Sequence, residues 1–339
     1  MITLYQFHWS HYVEKVRWAL DYKGLEWRAV EVEPVSKRQM QHLPCKTTLD
    51  SGQRVHTVPA IHDEATGEAV CESSQILDYL ERQYPTPALY PAPGPERDEM
   101  AHWLPWLDCE LGLTSRRLAY TQLALEHPGF LAELFDPHSV RAGGAHDIRA
   151  RFAGAIIAGV LTQRFRFHLN REDRVYEQLE HGLLFAARRL TARRYLVGDR
   201  FTAADLALAA FLRPASIVPF FRNHPHLQTL FEWRDAVLSE HRRESHGGYE
   251  AALHGVRRSR GWALGSVSWL GQPAQESTWR ELPAGTRVRN DQQRVARRPL
   301  LTGPLWYLRL RRTCGLGRTP YVASPATEAT RSPTGIHPP

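Results

Sequence analysis

Three short stretches of this chain hold residue types, at spacings, that can do chemistry. Ser10 stands at the head of a helix-like segment. A hydroxyl there can cap the helix, and one that donates beside a helix N-terminus can favour an anion. Glu72-Ser73-Ser74 opens a second helix-like run. Ser73 or Ser74 can cap it, and Glu72 sets an acid at its start. Thr202 and Asp205 stand three apart at the head of a third, between Phe201 and Leu206. That spacing makes a capping-box variant with a hydrophobic staple, so Asp205 reads as a folding residue and not as a catalytic acid. The 17 histidines form no H-x-x-x-H or H-E-x-x-H cluster, and no metal is expected. Cys45, Cys71, Cys109 and Cys314 form no C-x-x-C pair. They read as reduced thiols of a cytosolic protein, neither a disulfide framework nor a zinc site.

These residues need elements to position them. Residues 2–7 alternate and are rich in β formers, which predicts a first strand. Val13, Val16, Ala19 and Leu20 form an apolar helical stripe after Ser10, and Gly24 closes that helix as a C′ glycine. Residues 27–32 alternate again. A long polar stretch, 34–57, precedes a strand that begins around Pro59, then a short strand at 69–71 and a helix ending at Tyr84-Pro85. The order β-α-β, loop, β-β-α describes one small α/β domain over residues 1–85. Five prolines between 85 and 95 mark a linker, residues 86–96. Helical periods over 100–118, 145–167 and 172–190, and the capped segment at Thr202, predict an all-helical domain over 97–250.

Taken together, these motifs resemble the cytosolic glutathione transferase family, in a serine-type, bacterial-like form. The carriers are Ser10 seven residues before Arg17, Val58-Pro59 before the third strand of the sheet, Glu72-Ser73 followed by Ile-Leu-x-Tyr-Leu, and Leu196-x-Gly198 running on to Thr202-x-x-Asp205. The resemblance covers residues 1 to about 250. It implies a thioredoxin-like domain that binds glutathione, an all-helical substrate domain, and glutathione as cosubstrate with no metal. Ser10 falls where serine-type members stabilise the thiolate. A free thiol titrates near 8.5, so that help is needed at neutral pH. Tyr5 is a second hydroxyl, in poorer register with Arg17 and more in keeping with a core.

The resemblance further implies a cis Val58-Pro59 bond facing the cysteinyl backbone, and Glu72 and Ser73 holding the γ-glutamyl end. Lys46, Gln53 and Arg54 lie in the loop that would take the glycyl carboxylate. Trp9, His11, Tyr12, Trp103 and Trp106 are candidates for an apolar second-substrate pocket, each as compatible with a core. His11 stands where the family often carries proline, and the 34–57 and 129–144 segments depart from compact members.

The chain has 339 residues, 42% hydrophobic and 23% charged, a globular composition. The apolar stretch 152–161 is too short to cross a bilayer, and no secretory signal is visible at the N-terminus, so a cytoplasmic location is expected. Charge is uneven. Residues 257–339 carry 14 Arg, no Lys and 4 acids, net +10, and the preceding 256 residues carry −3. The basic segment also holds 8 Gly and 9 Pro with no apolar period, which predicts a disordered tail. Nucleic-acid binding through it lacks a stacking motif. The expectation is a transferase that conjugates glutathione to a small electrophile, as a homodimer by family resemblance. The alternative is a non-catalytic ligand-binding or protein-interaction module on the same fold.

Overall fold

The computed structural model describes residues 1–49, 52–126, 128–135, 148–166 and 168–241. All belong to one unit of the chain, Met1–Pro299. The basic segment 257–339, the close of the helical region beyond 241 and most of 129–144 lie outside the described residues.

A four-stranded sheet has the order β2-β1-β5-β6. β1 (Ile2–Gln6) runs parallel to β2 (Trp27–Glu31), with Ile2 opposite Trp27 and Gln6 opposite Glu31. It runs antiparallel to β5 (Ala60–Asp63), which pairs antiparallel with β6 (Ala69–Cys71). All five residues of β1 are buried, as befits a strand covered on both faces. Parallel strands need a crossover, and α1 (His11–Tyr22) supplies it. Its stripe of Val13, Val16, Ala19 and Leu20 is fully buried. Gly24, at φ +64°, turns the chain back towards β2.

Within the 34–57 loop, β3 (Thr47–Thr48) and β4 (Arg54–Val55) form a separate small ladder. Strands of two residues are too short to alternate, so no sequence period marks them. α2 (Ser73–Gln83) follows β6. Its N-cap is Glu72, and neither Ser73 nor Ser74 caps it. Ser73 is already helical, and the Ser74 hydroxyl donates to Asp108 at 2.6 Å.

α3 (Pro95–Trp106) runs through a π turn, Leu107–Leu111, into α4 (Gly112–Glu126). Pro105 cannot donate to a preceding carbonyl, and the widened turn begins two residues after it. α5 (Pro128–Phe135) and α6 (Ile148–Phe165) pack together so closely at Gly154 that any Cβ there would strike the Pro128 carbonyl. Then come α7 (Glu172–Thr191), α8 (Ala203–Phe211), α9 (Arg213–Ile217), α10 (Pro219–Arg222) and α11 (Gln228–His241). α8 is apolar nearly all round and every residue of it is buried. It centres a core that runs from Ile2 and Leu4 through Ile76, Leu77 and Leu80 to Phe211 and Phe221. A thioredoxin-like sheet and a helical domain therefore share one apolar interior. Among the described residues no helix is long and apolar enough to cross a membrane.

Candidate active site

Ser10 begins α1. Its backbone is extended, its carbonyl accepts from the Glu14 N–H at 2.9 Å, and its Oγ accepts from the Val13 N–H at 3.4 Å. A hydroxyl has one donor and two acceptor positions. Capping uses an acceptor position and leaves the O–H to donate, so capping and anion binding do not compete. The first turn is held fast. His11 Nε2 meets the Gly112 carbonyl at 2.9 Å, which requires the hydrogen on that nitrogen. Burial, and then the charge of Arg116, lower the His11 pKa to about 3. The Tyr12 hydroxyl donates to the Asp108 carbonyl at 2.6 Å, and burial raises its pKa. Both rings pack on Phe211. His11 and Tyr12 thus join α1 to the helical domain. Burial alone would raise the Glu14 carboxyl, but Arg213, Arg234 and Arg17 outweigh it and lower its pKa.

Tyr5 is a core residue. Its hydroxyl lies 3.0 Å from His42 Nε2, and burial raises its pKa. That environment disfavours a proton-sharing role towards a thiolate.

The Val58-Pro59 bond is cis. The Glu72 N–H donates to the Pro59 carbonyl at 3.3 Å, so the proline abuts the start of α2. Glu72 adopts φ +72°, a conformation that side chains rarely take and that costs of order 1–3 kcal/mol. The first helical bond of α2 is from Ile76 to Glu72, and no side chain caps this end. The N–H groups of residues 73–75 are therefore offered at a helix N-terminus, where a carboxylate is stabilised. Ser73 is buried, and Gln75 steadies Glu72 at 3.2 Å.

Lys46, Gln53 and Arg54 are exposed in the loop. A cation the sequence reading passed over, Lys37, lies half-buried in the same loop, at φ +49°, its Nζ 2.6 Å from the His56 carbonyl. Burial, then Arg164 on α6, lower its pKa. No local sequence signal separates it from its neighbours. Cys45 and Cys71 are free thiols hydrogen-bonded to each other. That bond lowers the Cys45 pKa and, with burial, raises that of Cys71. The fourth cysteine of the sequence, Cys314, lies outside the described residues.

Trp9 stacks on Phe7 at 5.0 Å, hydrogen-bonds Tyr120 of α4 and meets Phe135 of α5 at 6.4 Å. Trp103 and Trp106 instead cluster with Phe185 of α7, at 5.5 and 5.3 Å. They and Trp9 belong to separate aromatic groups. Thr202 and Asp205 form the capping box, and Asp205 also accepts from the Leu196 N–H at 2.7 Å. Among the described residues no three His, Cys, Asp or Glu side chains group to hold a metal.

Two family models match the chain. The model for the glutathione S-transferase N-terminal domain matches residues 4–88, and that for the glutathione S-transferase C-terminal domain matches 170–239. No curated protein matches the chain. Among solved structures, a glutathione S-transferase of Rhodospirillum rubrum F11 is 25% identical, over 74% of this chain and 91% of its own, with TM-score 0.43. One of Methylobacterium radiotolerans, in complex with glutathione sulfonate, is 24% identical over 72% and 92%, with TM-score 0.40. The beta-etherase LigF of Sphingobium sp. strain SYK-6 is 21% identical over 74% and 99%, with TM-score 0.50.

Proposed function

The chain belongs to the glutathione S-transferase family, and on that premise we propose that it conjugates the glutathione thiolate to a small electrophilic substrate. The observation that carries this is the Ser10 hydroxyl at the N-terminus of α1, accepting from Val13 with its own hydrogen free to donate. Hydroxyl and helix dipole together favour a thiolate at that point. Deprotonated sulfur then attacks an electrophilic carbon, a carbon–sulfur bond forms, and the leaving group departs with its electron pair. The chain's contribution is thiolate stabilisation and proximity.

In this reading glutathione lies extended along the sheet edge. The cysteinyl backbone faces Val58 beside Pro59. The γ-glutamyl carboxylate sits on the uncapped amides of α2 and on Ser73, with Glu72 pairing the ammonium. The glycyl carboxylate goes to the 34–57 loop. Lys37 joins Lys46 and Arg54 as a cation for it, and its half-buried position limits its freedom. A cytoplasmic homodimer completes the proposal.

The test is a pH titration of glutathione bound to the full chain, following thiolate absorbance, beside Ser10→Ala. The expected result is a bound thiol ionising at least about one unit below its free value near 8.5, with the shift lost in Ser10→Ala. An unshifted thiol in the wild type would leave only a glutathione-binding module. Absence of glutathione binding would overturn the reading altogether.

A further inference from the structure

Resting on the transferase reading, the structure carries a statement about the second substrate. Arg116 of α4 reaches the first turn of α1, two residues past Ser10. Its Cζ lies 4.4 Å from the centroid of the Tyr12 ring and 5.0 Å from that of Phe165. It is half-buried, and no carboxylate among the described residues pairs with it. Its neighbour Arg117 donates through Nε to the Phe165 carbonyl at 3.1 Å. Burial lowers the Arg117 pKa, and the charges of Arg116 and Arg166 add to that against the pull of Glu110. Positive charge is in excess at this spot. A half-buried guanidinium costs desolvation that cation–π contacts offset only in part.

The same place is walled by aromatic rings. Tyr120 stacks on Phe165 at 5.3 Å and meets Phe135 at 6.1 Å. Trp9, adjoining Ser10, closes the group through Phe135 and its hydrogen bond to Tyr120. All four rings are only partly buried. Flat faces suit an aromatic guest, and a guanidinium suits a carboxylate, which it binds in bidentate fashion. Electrophilic carbon would then lie near Ser10, with the acid group held on the α4 side.

We propose that Arg116 binds a carboxylate of the second substrate, and that the electrophiles of this chain are aromatic acids. The experiment compares kcat/KM of the full chain for 4-chloro-3,5-dinitrobenzoate and for neutral 1-chloro-2,4-dinitrobenzene, in wild type, Arg116→Met and Arg116→Lys. The ratio of acid to neutral substrate should fall about tenfold or more in Arg116→Met, the scale of one hydrogen-bonded charge pair. Arg116→Lys should keep part of it. A second measurement needs no variant. S-(4-carboxybenzyl)glutathione should bind the wild type about tenfold more tightly than S-benzylglutathione. A ratio unmoved by Arg116→Met, or equal affinity for the two conjugates, overturns the inference while leaving the transferase reading intact. Failure to bind glutathione in the preceding titration would overturn both.

Discussion

Lys15 Nζ lies 2.7 Å from Asp108 Oδ1, with the lysine side chain almost wholly buried. Ser74 completes the joint, donating to Asp108 Oδ2 at 2.6 Å and accepting from Lys15 at 3.4 Å. One ion pair thereby ties α1, α2 and the π turn together. Removing the acid strands a buried cation, which typically costs about 3–5 kcal/mol. Asp108→Ala is expected at the low end of that range, since Asp108 keeps some solvent contact. Urea unfolding measures it, and a loss below about 1 kcal/mol would show that Lys15 finds another partner.

His11 should give the chain a recognisable acid sensitivity. Its folded-state pKa is about 3, against 6.5 for an ordinary histidine. Between those values the unfolded chain holds a proton that the folded chain refuses. Stability from this group is therefore complete above about pH 6.5 and declines as pH falls towards 3. Relative to His11→Gln, which retains a donor for the Gly112 carbonyl, the wild type should lose up to about 1.4 kcal/mol more per pH unit in that window. Urea midpoints at pH 7, 6 and 5 decide the matter; parallel curves would count against it.

The capping box of α8 should show two sizes of defect. Thr202→Ala removes an N-cap and should cost about 1–2 kcal/mol. Asp205→Ala should cost more, because it orphans the buried N–H groups of both Leu196 and Thr202. Thermal unfolding of the two variants side by side gives the order, and equal losses would mean that the Leu196 bond adds nothing.

Cys45 should be the reactive thiol of the Cys45–Cys71 pair, since the thiolate is the nucleophile and its pKa is lowered. Iodoacetamide at neutral pH should label Cys45 faster than Cys71, which is buried. Cys71→Ala removes the stabilising S–H and should slow Cys45. Peptide mapping by mass spectrometry reads both rates; faster labelling of Cys71 would reverse the assignment.

Much of this was legible in the chain because the signals are local. Val13, Val16, Ala19 and Leu20 announce α1, and Thr202 with Asp205 announces α8, each within a few residues. Glu72 misled, since cap statistics favour the serines after it, whereas Ser74 is drawn to Asp108 from another element. The wall around Trp9 had no local mark. Tyr120, Phe135 and Phe165 stand more than a hundred residues away and join the cluster around Trp9 only in the folded chain. Lys15 lies outside the apolar stripe of α1, and nothing near it in the sequence marks its burial, because its partner is supplied by a distant π turn.

That π turn makes the long helix a matter of counting. A π turn holds about one residue more than an α turn, and one residue rotates everything after it by about 100°. Ser115 reaches the Phe211 carbonyl at 2.9 Å, and Arg116 reaches Tyr12, in the phase set by that additional residue. Substitutions between Leu107 and Leu111 preserve the phase. Loss of a single residue there would swing Arg116 away from the first turn of α1 while leaving the helix unbroken. Beside the identity of Asp108, the stretch must keep its length, so insertions and deletions among homologous chains should fall on either side of it.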